Sequence, residues 1–164
     1  MRMLNDMAFA KASQVLQELW NGYLPIEPAQ LAQRMGARVI YDESLAYDRI
    51  SGSFEFDSYG PLIKVSPNDP LVRQRFTVAH EIAHWLLGHV QPGQMAHRDP
   101  TDLYAVLDSR EIDANRFAAQ LLMPEHVVRN LVMQVPPAQK VSILAQQFAV
   151  SEAAMGYRLQ NLGL

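Results

Sequence analysis

Three ionisable side chains, His80, Glu81 and His84, stand among mostly apolar neighbours in the run Arg75-Phe76-Thr77-Val78-Ala79-His80-Glu81-Ile82-Ala83-His84-Trp85-Leu86-Leu87. A helix this apolar around its polar residues is buried, and unpaired imidazole and carboxylate groups inside a protein are costly. The fold therefore has to give them partners, either a metal ion or, on the plainer reading, one another in a polar seam along one helix face. Positions four apart on an α-helix differ by only about 40° around its axis, so the two imidazoles face one point and can chelate a single ion. Glu81 lies about 100° from His80, near enough to reach a water at that ion without being a ligand. Two neutral nitrogen ligands, an adjacent carboxylate base and a Lewis acid are what water activation requires.

A catalytic zinc site takes three protein ligands and keeps one position open. His89 is nine residues after His80, about half a turn away on a continuous helix, and so reads as a helix-end or loop residue rather than a ligand. The metzincin spacing would need Gly at position 87 and His at position 90, where this chain has Leu87 and Val90. The better source of a third ligand is the next helix, 109–122, where Glu111 and Asn115 share one face beside a stripe of Ala114, Ala118, Leu121 and Leu122. Glu111 is favoured over Asp113, His97 and Asp102, with Asp113 turned roughly 200° away from it. Asn115 then orients a ligand from behind. A plainer role for Glu111 is to favour the positive helix N-terminus, behind Ser109.

Other chemistries fall away on composition. With no cysteine, disulfide frameworks, thiolate zinc ribbons, iron–sulfur clusters and cysteine nucleophiles are excluded. Fourteen Lys+Arg against seventeen Asp+Glu give a net charge of −3, the wrong sign for a general nucleic-acid binder. The longest apolar stretches are far short of the roughly 18 residues that span a bilayer. The N-terminus lacks the apolar core of a signal peptide. The expected location is the cytoplasm.

Along the chain, helical spacing marks 7–20, then a short helix from Pro28 to Met35, and a strand over 37–41. Two β-like runs, 50–56 and 62–65, flank a five-residue connection and read as a hairpin. Helices follow at 72–88, 109–122 and 125–133, with a loop over 89–106 that could act as a flap, and two short helices at about 138–148 and 151–161 close the chain. Trp20, Trp85 and the scattered methionines read as core material. The predicted fold is α+β, mainly helical, with a small sheet of about three strands before the active-site helix. Residues 1–124 form the metal-bearing domain and 125–164 a C-terminal helical extension packed on it. The extension has the cadence of a helix-turn-helix, with Val150-Ser151 as turn and N-cap. From Pro124 onward, however, three bases face two acids. Phosphate binding draws on several Lys/Arg contacts, so a structural or docking role is favoured over DNA binding.

The two long motifs together resemble the ImmA/IrrE family of metallo-endopeptidases: Arg75 to His84, then Glu111-x-x-Ala114-Asn115-x-Phe117-Ala118-Ala119-x-Leu121-Leu122-Met123-Pro124. The resemblance covers about residues 25–130 and includes the preceding hairpin around Ile50-Ser51-Gly52 and Ile63-Lys64-Val65. It implies one zinc ion (Zn2+) held by His80, His84 and Glu111, with Glu81 as catalytic general base. It also implies a regulatory protein substrate, a helix-turn-helix transcriptional repressor or another co-encoded regulator, as in mobile elements and stress responses. Some relatives carry a further DNA-binding or sensor domain; this chain reads as the minimal protease unit. The oxyanion donor is open among Tyr104, His97 and Arg116. The strands at 50–56 and 62–65 are expected to offer an edge to an extended substrate. The competing functions are a zinc-containing anti-repressor that sequesters a partner without cutting it, and a DNA-binding regulator using the terminal helices.

Overall fold

The computed structural model describes residues 2–95, 97–100 and 108–164. Its order is α1 (Arg2–Leu19), α2 (Pro28–Arg34), β1 (Arg38–Tyr41), α3 (Ser44–Tyr47), β2 (Ile50–Asp57), β3 (Gly60–Val65), α4 (Leu71–Leu86), β4 (His97–Pro100), α5 (Ser109–Leu122), α6 (Glu125–Val132), α7 (Lys140–Phe148) and α8 (Glu152–Leu162). A 3₁₀ turn at Pro137–Gln139 leads into α7. The fold is mainly helical α+β.

The hairpin forms where the alternating pattern places it, but its strands run further into the connection than the sequence suggests. β2 reaches Asp57 and β3 begins at Gly60, leaving a two-residue turn, Ser58–Tyr59. The Asp57 carboxylate accepts from the Tyr59 N–H at 2.8 Å, and Gly60 takes φ +110°, which a residue with a Cβ adopts only under strain. Beside the hairpin, β1 pairs parallel to β3, bringing Val39 opposite Ile63.

The sheet has four strands in the order β1-β3-β2-β4. β4 comes from the segment expected to be a loop: its residues 97–100 run antiparallel to β2, with His97 opposite Phe54 and Asp99 opposite Gly52. The expected substrate edge on 50–56 and 62–65 is therefore corrected. β3 lies between β1 and β2, and β2 between β3 and β4, so the outer strands are β1 and β4. An unpaired strand exposes a row of N–H and C=O groups that any extended segment can satisfy, and here the chain itself supplies that segment.

One face of the hairpin lies on α4. Phe54, Ile63 and Val65 have no accessible surface, and the Phe54 ring stacks on Trp85 with centroids 6.1 Å apart. On the other side of α4, Ala79 and Ala83 join Ala114 and Ala118 of α5 in the core, all completely buried. Small side chains at a helix contact let the axes approach closely, which brings side chains of the two helices together. α1 closes the far side of α5 with Ala8, Ala12, Val15 and Leu16, tied by a hydrogen bond from Gln120 to the Ser13 hydroxyl at 3.2 Å.

The last two helices contribute Leu144, Phe148, Met155 and Leu159 to the same apolar core. Polar ties reinforce the contact. The buried Arg75 of α4 donates through Nε to the carbonyl of Ala149, between α7 and α8, at 3.1 Å, and also bonds the Ile26 carbonyl and the Glu27 carboxylate. Arg158 of α8 donates to the Met123 carbonyl at 3.0 Å and bonds Gln120.

Candidate metal centre

α4 and α5 together assemble the site. His80, Glu81 and His84 are all buried, at 2%, 0% and 0% exposure. The His84 Nε2 lies 3.0 Å from the His80 Nε2. From the neighbouring helix the Glu111 carboxylate completes a triangle, with Oε2 at 3.1 Å from His80 Nε2 and Oε1 at 3.4 Å from His84 Nε2. Among the described residues these three form the group of His, Asp and Glu side chains placed to hold an ion. Donors about 2.0–2.2 Å from a tetrahedral zinc ion sit about 3.3 Å from one another, so the spacing fits that metal. So does the chemistry: two imidazole nitrogens and one carboxylate oxygen are a donor set that zinc accepts.

The histidines are oriented from behind. The Nδ1 of His80 is 3.0 Å from the side-chain carbonyl of Asn115, an acceptor for an Nδ1–H that leaves the Nε2 lone pair free for an ion between His80, His84 and Glu111. His84 has its Nδ1 3.0 Å from the Nδ1 of His89. Asn115 therefore stands where the i, i+4 relation to Glu111 places it. His89 is the helix-end residue expected and stands outside the ligand triangle, because α4 stops at Leu86 and Gly88 turns the chain back at φ +73°. A glycine just after an apolar helical run is the signal that marks such a reversal.

Glu81 faces the hairpin. A Cβ added to Gly52 of β2 would come within 3.3 Å of Glu81 Oε1 and 2.3 Å of the Thr77 Cγ2, so the absent side chain lets the strand backbone close over this part of α4. Glycine here creates the close approach of strand to carboxylate, a packing need that an alternating β pattern does not announce.

The remaining site expectations separate cleanly. Asp113 forms an ion pair with Arg116 at 3.7 Å and belongs with it rather than with the ligand triangle, and that contact occupies one of the candidate oxyanion donors. His97 lies on β4, while Tyr104 and Asp102 fall outside the described residues. The N-cap of α5 is Asp108. Its carboxylate accepts from the Arg110 N–H at 2.9 Å and also binds the Arg110 guanidinium. The guanidinium bond, followed by the backbone one, holds the Asp108 carboxyl below its ordinary pKa. That cap fixes the first turn of α5, where Glu111 stands.

A buried His-Glu-x-x-His helix with a carboxylate from the adjoining helix defines the metallopeptidase type of site. The chain belongs to the peptidase family described as IrrE N-terminal-like domain, which matches residues 32–160 and so runs from α2 into α8. It is also similar to a protein of Bacillus phage phi105 described as uncharacterized immunity region protein 2, with 27% identity over 128 residues, 78% of each chain. Among the described residues no helix is long and apolar enough to cross a membrane.

Proposed function

We propose that this protein is a zinc-dependent endopeptidase of narrow specificity that cleaves a regulatory protein in the cytoplasm, such as a helix-turn-helix repressor encoded beside it. The observation that carries the reading is the triangle of His80, His84 and Glu111 with buried Glu81 next to it, in a chain from a peptidase family. The similarity to a phage protein described as an immunity region protein supports a regulatory substrate.

In this proposal His80, His84 and Glu111 hold one zinc ion, which when bound supplies Lewis acidity toward a carbonyl and toward water. Glu81 accepts a proton from the attacking water and returns it to the leaving amine. Its burial keeps bulk water from competing for that proton. Asn115 fixes His80 in the tautomer that ligates through Nε2. Residues 125–164 form a helical extension of the 1–124 unit, a role supported by the ties of Arg75 to Ala149 and of Arg158 to Met123. The low cation content of that extension, with Arg158 turned onto the protein, favours docking or support over DNA binding.

The test compares wild type with Glu81→Gln against the regulator encoded next to the gene. Both are expected to carry about one zinc per chain by elemental analysis, and the variant to cleave at least about 100-fold more slowly. Equal relief of repression by both proteins, without cleavage, would establish a sequestering module instead.

A further inference from the structure

The two imidazoles of the site are supported from different sources. His80 meets Asn115 across the α4–α5 contact, whereas His84, in the last turn of α4, meets a residue from the chain beyond that helix. The helix ends in a double hydrogen bond typical of a reversing C-cap. The His89 N–H donates to the His84 carbonyl at 2.9 Å, and the Gly88 N–H to the Trp85 carbonyl at 3.1 Å. These are the two bonds of a Schellman motif, with Leu87 as C-cap and Gly88 in the left-handed conformation that glycine adopts without strain. The motif returns residue 89 to the level of residue 84, where the rings meet edge to face with centroids 4.9 Å apart and the two Nδ1 atoms 3.0 Å apart.

We propose that His89 is a positioning residue for His84, accepting through Nδ1 the hydrogen bond that fixes His84 as an Nε2 ligand. The inference rests on the reading of His84 as a zinc ligand given above. An imidazole that ligates through Nε2 keeps its proton on Nδ1, and a buried N–H needs an acceptor. His84 Nδ1–H therefore donates to His89 Nδ1, and His89 carries its own proton on Nε2. The same bond restrains rotation of the His84 ring about its Cβ–Cγ axis, which would otherwise carry Nε2 away from the triangle with His80 and Glu111. Gly88 thus acts on the site through the backbone: its left-handed turn delivers the acceptor.

The test measures zinc affinity of the full chain by competition with a chelating dye, for wild type, His89→Phe and His89→Asn. Phenylalanine keeps a flat ring and removes the acceptor, whereas the side-chain oxygen of asparagine occupies the place of Nδ1. His89→Phe is expected to bind zinc about 10–100-fold more weakly, and His89→Asn to recover most of that loss. Helix content of the zinc-free proteins, read by circular dichroism, is expected to be the same for all three, and His89→Leu replaces the phenylalanine variant if that one fails to fold. Unchanged affinity in His89→Phe overturns the inference. An equal loss in the phenylalanine and asparagine variants overturns it too, because ring packing and not the acceptor would then matter. Failure of the wild type itself to bind zinc removes the metal reading, and this inference with it.

Discussion

The α4–α5 pair and the α7–α8 pair handle polar groups in opposite ways. In the first, the ionisable side chains His80, Glu81 and His84 of one helix are buried beside one another, and partners from α5 and from the turn after α4 are brought to the two imidazoles. In the second, local rules suffice. Ser151 caps α8 by accepting from the Ala154 N–H at 3.1 Å, Ala149 ends α7 in the left-handed conformation, and the buried positions are apolar. The one cation of α8, Arg158, lies against Gln120 and Met123, and burial lowers its pKa. A sequence agrees with itself at every level where it only has to fold, and departs from that agreement where it has chemistry to do. The contrast between these helix pairs is a structural sign of where function lies.

Arg75 joins the two regions, and removing it is expected to have the largest effect on stability. Arg75→Met strips hydrogen bonds from the carbonyls of Ile26 and Ala149 and leaves Glu27 without its ion pair. Losing these bonds, with the buried Ile26 carbonyl and the half-buried Ala149 carbonyl left unsatisfied, costs about 3 kcal/mol, to be read from the urea midpoint. A loss no larger than that of a surface arginine would mean that the helix pairs are stabilised independently. Arg158→Met is the matching probe on the other side. It is expected to cost about 1–2 kcal/mol, since it breaks one carbonyl bond and one side-chain bond at a half-buried position. Wild type and variant should be alike in showing no salt-sensitive binding to duplex DNA, and a salt-dependent affinity lost in the variant would give α8 a nucleic-acid role.

The smallest expected effect depends on pH. In the folded chain the Asp108 carboxyl titrates below its ordinary value of 3.8, because the Arg110 guanidinium and backbone N–H hold the anion. Unfolding returns it to that value. Its contribution is therefore complete above the ordinary carboxylate range and fades as the pH falls through the lowered folded value. Asp108→Asn is expected to lower Tm modestly at neutral pH, with the difference narrowing in acid. A difference that stays constant down to strongly acidic pH would show that the cap does not work through its charge.

Much of the site was legible because helical geometry is local. The spacing of His80 and His84 fixes a shared face, and that of Glu111 and Asn115 fixes another, whatever the rest of the chain does. The contacts of Asn115 with His80 and of Glu111 with both imidazoles stand where those faces predict. His89 is the helix-end residue expected, but its contact with His84 had no local signature, because one left-handed residue resets the direction of everything after it. Nor did β4 have one. Residues 97–100 carry no alternating apolar pattern, and they are a strand because β2 offers them hydrogen bonds.

By itself, then, the sequence determined the helices other than the one-turn α3, the hairpin and the two polar faces, all set by residues within a turn or two of one another. Tertiary structure alone decided which faces meet. The fully buried alanines at 79, 83, 114 and 118 permit the close approach of α4 to α5, and Gly52 that of β2 to Glu81. These are contacts between distant segments, settled by which side chains leave room, and no local periodicity encodes them.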